Sequence, residues 1–226
     1  MYCIVGGKPA KDIVLDLAKV AGYTVAIGTC ASFGGVSAAN PNPTDATGLQ
    51  FYKDKKGGLL GAGYKSGAGL PVINIPGCPA HPDWASKTLA AVLLGKAQYI
   101  ELDEYHRPKV FYGSLSHWGC KNNEYYEFGQ KCEKFGDKGC LFKELGCKGP
   151  LTYSDCNMRL WNRQSSKTRS GSPCIGCTDP NFPDIHSGYF FRTKERLPTP
   201  VGASKLGHAA AAGFGRLSCP ARLKSR

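Results

Sequence analysis

The sequence predicts an α/β chain in two parts, a partial parallel sheet with covering helices over residues 1–106 and an irregular, cysteine-rich region over residues 107–226. Three observations carry this division. Short apolar stretches of strand length alternate with helical periodicity in the first part, the pattern of a parallel sheet. From about Arg107 onward, glycine, proline and charged residues break every apolar run. Ten of the eleven cysteines lie beyond residue 29, and three of them fall within the run Cys140 to Cys156.

The elements follow in order. Lys11 to Ala21 sets Ile13, Val14, Leu17, Ala18 and Ala21 on one helical face, and Tyr23 to Ile27 follows as a short apolar strand. Asn40 to Gly48 and the glycine-rich Lys53 to Gly69 read as one long loop, of a length usually reserved for function or for covering a partner. Pro71 to Ile75 is a second strand. Pro82 to Leu94 is a helix begun by proline and closed by Gly95. Beyond Arg107 only Asn123 to Phe135 offers a helical candidate. A hundred residues with so little regular structure rarely fold on hydrophobic burial alone, so bound metal is expected to organise them.

Composition narrows the function. Glycine and proline contribute 29 and 15 of 226 residues, which argues for much irregular backbone. The net charge of +12 is scattered, with modest concentrations at residues 159–169 and 221–226 and no aromatic-interleaved basic motif, so nucleic acid is not the expected partner. The apolar runs at 88–94 and 208–214 are too short to span a bilayer. The chain opens on Met-Tyr-Cys with no secretory signal.

The cysteines remain. Disulfide frameworks belong to short secreted domains, whereas 226 residues can bury a core without staples, and an odd count leaves one thiol over. Pro173-Cys174-Ile-Gly-Cys177 is the better clue, because thiolates at Cys-x-x-Cys spacing turn toward one metal centre with little strain. His117-Trp-Gly-Cys120 adds an imidazole. Spacing alone leaves zinc and iron–sulfur open. Cys30 and Cys78 each follow a predicted strand and a glycine, and parallel strands deliver their carboxyl ends to the edge where open α/β folds bind ligands. Both are therefore candidates for one cofactor.

Five stretches together resemble one family: Gly28-Thr-Cys-Ala-Ser-Phe-Gly-Gly35, Asn40-Pro-Asn-Pro-Thr44, Pro76-Gly-Cys-Pro-Ala-His-Pro-Asp-Trp84, Gly146-Cys-Lys-Gly-Pro150 and Pro173-Cys-Ile-Gly-Cys177 are similar to the small subunit of nickel–iron hydrogenases, in the expected order from residue 1 to about 185. The resemblance implies a partial flavodoxin-like domain over 1–106 and an irregular iron–sulfur-cluster-binding domain over 107–226. It implies a relay of electrons between the Ni-Fe site of a large subunit, where H2 is oxidised or protons reduced, and an external redox protein such as a cytochrome or ferredoxin. Carried over residue by residue, Cys30 and Cys78 match two ligands of a proximal [4Fe–4S] cluster. His117, Cys120, Cys140 and Cys147 match a distal [4Fe–4S] cluster. Cys156, Cys174 and Cys177 match a medial [3Fe–4S] cluster, with no cysteine between Cys156 and Cys174 to supply a fourth ligand. No catalytic acid, base or nucleophile is expected in this chain, which is an enzyme only as part of a hydrogenase complex.

The chain departs from the family at one end. The other two proximal ligands normally come from an amino-terminal Cys-x-x-Cys that these 226 residues lack, and Met1-Tyr-Cys-Ile-Val-Gly-Gly7 resembles an internal stretch of the family. Met1 is accordingly read as an internal methionine of a truncated gene model or a split gene. A periplasmic location is favoured over a cytoplasmic one, the signal region lying in the part not present. Gly35 stands where oxygen-tolerant relatives carry an extra cysteine, which implies an oxygen-sensitive proximal cluster. His117 is expected to present its ring to solvent as the exit point, with Lys121 beside it. Cys3, Cys132 and Cys219 match no cluster ligand, and His81, His106, His186 and His208 have no ligand spacing. The rival reading is a non-catalytic structural or adaptor remnant whose thiolates hold zinc or an incomplete cluster.

Overall fold

The chain opens on an antiparallel hairpin of β1 (Ile4–Val5) and β2 (Lys8–Pro9) in the computed structural model, which describes residues 3–184. Gly6 and Gly7 turn it with φ of 56° and 77°, the left-handed pair that a two-residue hairpin requires. Cys219, His186, His208 and the basic run at 221–226 lie outside the described residues. Helix α1 (Ala10–Val20) follows, with Asp12 in its first turn and Lys19 in its last, each suited to the helix dipole. Of its expected apolar face only Ala18 is fully buried, while Leu17 remains 61% exposed.

Next come β3 (Val25–Ile27), α2 (Thr29–Phe33), the β4 (Phe51–Tyr52) and β5 (Lys55–Lys56) hairpin, β6 (Ile73–Ile75) and α3 (Pro82–Leu93). Strands β3 and β6 pair in parallel, Val25 opposite Ile73 and Ile27 opposite Ile75, so the predicted sheet is present as a small parallel one. Each strand is shorter than its apolar run. Helix α3 is capped as its sequence suggests, with the His81 ring accepting from the Asp83 N–H at 3.1 Å, Pro82 at the first turn and Gly95 beyond the end at φ 67°.

The long loop is more ordered than its composition suggests. Gln50, buried within it, donates to the carbonyls of Ala62 (3.1 Å) and Tyr64 (2.9 Å) and accepts from the Val72 N–H (2.9 Å), stapling the loop to the entrance of β6. Leu49 N–H donates to the Ala31 carbonyl at 2.7 Å, and a Cβ at Gly48 would overlap the Ser32 carbonyl. Only glycine lets the loop approach α2 this closely. Gly48→Ala is therefore expected to cost about 1–3 kcal/mol or more, since the obstruction is backbone that cannot rotate aside; thermal unfolding measures it, and an unchanged Tm would contradict the contact.

One core cluster joins the two predicted parts. Ile75 of β6, Trp84 of α3, and Phe111 and Tyr112 of α4 (Lys109–Tyr112) are buried together. Each such side chain contributes about 1.5–3 kcal/mol on burial. The Tyr112 hydroxyl donates to the Pro76 carbonyl at 2.8 Å, and the Trp84 indole N–H donates to Asp155 at 2.6 Å. The Arg107 guanidinium bridges Asp103 and the Thr178 carbonyl, and the His81 ring meets the Leu160 carbonyl at 3.1 Å. Residues 3–184 thus fall within a single compact unit. Beyond α4, the described residues of the second part form the short helices α5 (Asn123–Glu127), α6 (Phe142–Leu145) and α7 (Cys156–Arg159) and a 3-10 turn at Gly149–Leu151. The Asn123 to Phe135 candidate ends early, because Gly129 turns left-handed at φ 68°. Among the described residues no helix is long and apolar enough to cross a membrane.

Candidate metal centre

Helix α6 is the device that builds the first site. Between Cys140 and Cys147 the chain makes one helical turn and stops at Gly146, whose left-handed φ of 69° returns Cys147 to the same side, its N–H donating to the Leu141 carbonyl at 3.2 Å. Cys140 is fixed from the other side, where its N–H donates to the Gln130 carbonyl at 3.0 Å and its carbonyl accepts from the Cys132 N–H at 3.0 Å. His117, Cys120, Cys140 and Cys147 consequently line one small cavity, closed by Leu141, Gly149 and Pro150.

The His117 ring is 8% exposed and packs edge-on against Tyr126 of α5, with ring centroids 4.5 Å apart. The expectation that it faces solvent is corrected: Tyr126 covers it, and the exposed neighbours are Trp118 and Lys121, the latter tied to the Arg169 carbonyl at 2.7 Å. Burial lowers the His117 pKa, and its Nε2 is buried without a hydrogen-bond partner. Such an atom costs stability unless something else satisfies it.

Cys156, Cys174 and Cys177 line a second cavity of about 410 Å³, walled by Trp84, Trp161, Ile175 and Thr168. Cys156 opens α7, and its sulfur lies 3.3 Å from the Ser154 hydroxyl. Burial pushes the Cys177 thiol up to about 11 and the Cys174 thiol well above the usual range; in the first cavity it pushes Cys147 up to about 12. Thiols this desolvated stay protonated unless a cation is brought to them, and a bound metal removes the proton outright. The two cavities share a wall: the Cys174 N–H donates to the Cys147 sulfur at 3.3 Å, and the Lys148 N–H donates to the Cys174 carbonyl at 2.7 Å.

The strand-end pair is placed differently. The ends of β3 and β6 are tied by Thr29 N–H to the Gly77 carbonyl (3.1 Å) and Gly77 N–H to the Thr29 hydroxyl (2.8 Å). Cys30, on α2, is exposed, whereas Cys78 lies half-buried in the wall of the second cavity. Gly35 sits against Cys30 at φ 52°, and a Cβ there would lie 2.9 Å from the Cys30 sulfur.

The donor types present are those of a soft metal site. Among the described residues, no three His, Cys, Asp or Glu side chains converge closely enough for one metal ion. Around the two cavities they supply soft, desolvated thiols and an imidazole nitrogen without a partner, donor types that iron–sulfur clusters and zinc both accept. The remaining candidates behave as ordinary groups: His81 caps α3, and the buried Cys132 thiol donates to the Lys134 carbonyl at 2.9 Å.

Residues 112–190 match the family model for the C-terminal part of the NiFe/NiFeSe hydrogenase small subunit. The recombinant [NiFeSe] hydrogenase from Desulfovibrio vulgaris Hildenborough, solved in the oxidised state, superposes with a TM-score of 0.70 at 34% identity, covering 84% of this chain and 69% of that one. The chain belongs to the nickel–iron hydrogenase small-subunit family. Residues 2–92 of this family member also match the model for the 20 Kd subunit of NADH ubiquinone oxidoreductase. Among relatives, the F420 non-reducing hydrogenase II small subunit of Methanosarcina mazei is 40% identical over 86% of this chain and 53% of its own length. The periplasmic [NiFeSe] hydrogenase small subunit of Desulfomicrobium baculatum is 37% identical over 84% of this chain and 61% of its own length. The chain spans about half the length of the methanogen small subunits it matches.

Sequence reasoning missed two contributors. Trp161, which packs on His81 with centroids 4.8 Å apart, forms part of the second cavity wall and carried no motif signal. Lys148 is wholly buried, next in sequence to Cys147, and its place inside Gly146-Cys-Lys-Gly-Pro150 was the available signal.

Proposed function

We propose that this chain is the electron-transfer small subunit of a nickel–iron hydrogenase, active in H2 oxidation or proton reduction only with its large subunit. The observation that carries this reading is the sorting of the ligand candidates into two adjoining cavities: His117, Cys120, Cys140 and Cys147 around one, Cys156, Cys174 and Cys177 around the other. The first set is assigned to a distal [4Fe–4S] cluster and the second to a medial [3Fe–4S] cluster. Cys30 and Cys78 are assigned to a proximal [4Fe–4S] cluster whose other two ligands are not among these 226 residues. Residues 1–106 are read as part of a flavodoxin-like domain and 107–226 as the cluster-binding domain.

When bound, the clusters supply one-electron redox centres. The chain's own residues hold and tune them. Buried Cys147, Cys174 and Cys177 supply thiolates in water-poor surroundings, and backbone N–H groups of Gly149 and Cys174 donate to the Cys147 sulfur at 3.4 and 3.3 Å, which favours a more reduced, more negative centre. Imidazole in place of one thiolate makes the distal site less negative and raises its potential. Electrons leave toward a redox protein, with the exposed Trp118 and Lys121 marking the nearest surface to the distal site. A periplasmic location is proposed from the D. baculatum relative, whose name carries that term.

The experiment is hydrogen-dependent dye reduction by the chain purified with its large subunit. His117→Ala is expected to slow reduction of an external acceptor by more than the about 10–100-fold that changes just outside a ligand set cost, while hydrogen–deuterium exchange at the active site persists. Equal losses in both assays would contradict the distal assignment.

A further inference from the structure

We infer that a basic groove lying against the distal site is the docking surface for an acidic one-electron carrier protein, and that electrons cross into that protein beside Cys120. The inference rests on the cluster reading above and deepens it, naming the kind of partner and the face it uses. The groove is a cavity of about 440 Å³ whose charged lining is Lys121, Lys138, Arg169 and Asp137. All four residues are exposed, and none of the three cations is in an ion pair among the described residues. One Asp137 carboxylate oxygen accepts the Lys134 N–H at 3.0 Å. Three cations against one carboxylate make the rim positive.

Position sets this groove apart from the rest of the basic surface. Asn122, Leu141 and Thr168 line both the groove and the cavity of His117, Cys120, Cys140 and Cys147, so single residues separate the two. That partition is held in place. The Asn122 N–H donates to the Cys120 sulfur at 3.4 Å, and the buried Thr168 hydroxyl donates to Asn157 at 2.9 Å. Lys121 Nζ donates to the Arg169 carbonyl at 2.7 Å, joining two segments of the rim. Tyr126 covers the His117 ring, whereas the groove flanks the Cys120 side. The partition residues carry no charge, so a small anion would find nothing at the bottom to hold it, while the exposed cations above suit a broad surface bearing carboxylates. Opposite charge on such a surface steers its encounter and like charge repels it. One electron then passes from the reduced distal cluster to the oxidised centre of the carrier, with no bond made and no proton moved.

The test uses the chain in complex with its large subunit. Hydrogen-driven reduction is followed at several ionic strengths with two probes, an acidic plant-type ferredoxin and a lysine-rich c-type cytochrome. The ferredoxin rate is expected to fall as salt rises and the cytochrome rate to rise. A wild-type ferredoxin rate that rises with salt overturns the inference before any variant is made. Lys138→Glu combined with Arg169→Glu changes two exposed residues, neither a proposed ligand. It is expected to raise KM for the ferredoxin by about 10-fold or more at low salt, with cluster iron and hydrogen–deuterium exchange at the active site unchanged. Lys138→Gln, the milder variant, is expected to shift KM in the same direction by less. An unchanged ferredoxin KM in both variants, or an equal loss for both carriers, overturns the docking assignment alone. Inhibition by inorganic phosphate at constant ionic strength that disappears in the double variant assigns the groove to a small anion and likewise overturns it. A wild-type complex without iron and sulfide overturns the cluster reading as well.

Discussion

Cys174→Ala is expected to strip the medial cavity of its metal and to stop hydrogen-dependent reduction of an external acceptor, leaving distal iron in place. Cys174 is buried, its thiol is pushed well above the usual range by desolvation, and it shares a cavity of about 410 Å³ with Cys156 and Cys177. If the three thiolates are the ligands, as proposed, losing one leaves two, and no other cysteine or histidine but half-buried Cys78 lines that cavity. The loss should exceed the about 10–100-fold that changes outside the ligand set cost in metal affinity. Because the contacts from Cys174 to Cys147 and Lys148 run through its backbone, alanine preserves the wall shared with the distal site. EPR and iron analysis check this, with Cys3→Ser on the exposed hairpin edge as the control expected to change nothing. Retention of the medial signal in Cys174→Ala would remove Cys174 from the ligand set.

Trp84→Ala is expected to be the most damaging change to stability, at about 3–5 kcal/mol. Trp84 is 2% exposed, stacks near Tyr112 with centroids 5.0 Å apart, and contacts the Phe111 ring. Its indole N–H also satisfies Asp155, whose other carboxylate oxygen holds Arg159. Trp84→Phe separates the two contributions: it keeps most of the apolar burial and orphans one carboxylate oxygen, an expected loss of about 1–3 kcal/mol. Denaturant unfolding of both variants measures the difference. Equal losses would mean that the hydrogen bond to Asp155, rather than packing, carries the contribution of Trp84. Since this residue also walls the medial cavity, Trp84→Ala should loosen metal retention there.

Much of the candidate site was legible from spacing: Cys-x-x-Cys at Cys174 and Cys177 and His-x-x-Cys at His117 and Cys120 each bring two donors close along the chain, and each pair lines one cavity. The parallel pairing of the strands that precede Cys30 and Cys78 was also readable, from apolar runs followed by glycine. What stayed hidden depends on contacts between distant segments. Nothing local announces that Gln50 organises a loop, that Tyr126 covers the His117 ring, or that Cys78 leans toward the medial cavity while Cys30 stays exposed. The α1 face was read from periodicity alone, which says where apolar residues point but not whether anything covers them; Leu17 is the case in hand. The length of the Asn123 to Phe135 helix failed for a local reason, since a left-handed Gly129 outweighed the helical pattern around it.

The most direct measurement is iron, zinc and acid-labile sulfide analysis of the chain purified with its large subunit, recorded together with its visible absorption before and after exposure to hydrogen. A brown complex with iron and sulfide in matching amounts, bleached by H2, is the predicted result. A colourless complex that carries zinc in place of iron, with no response to H2, would contradict it.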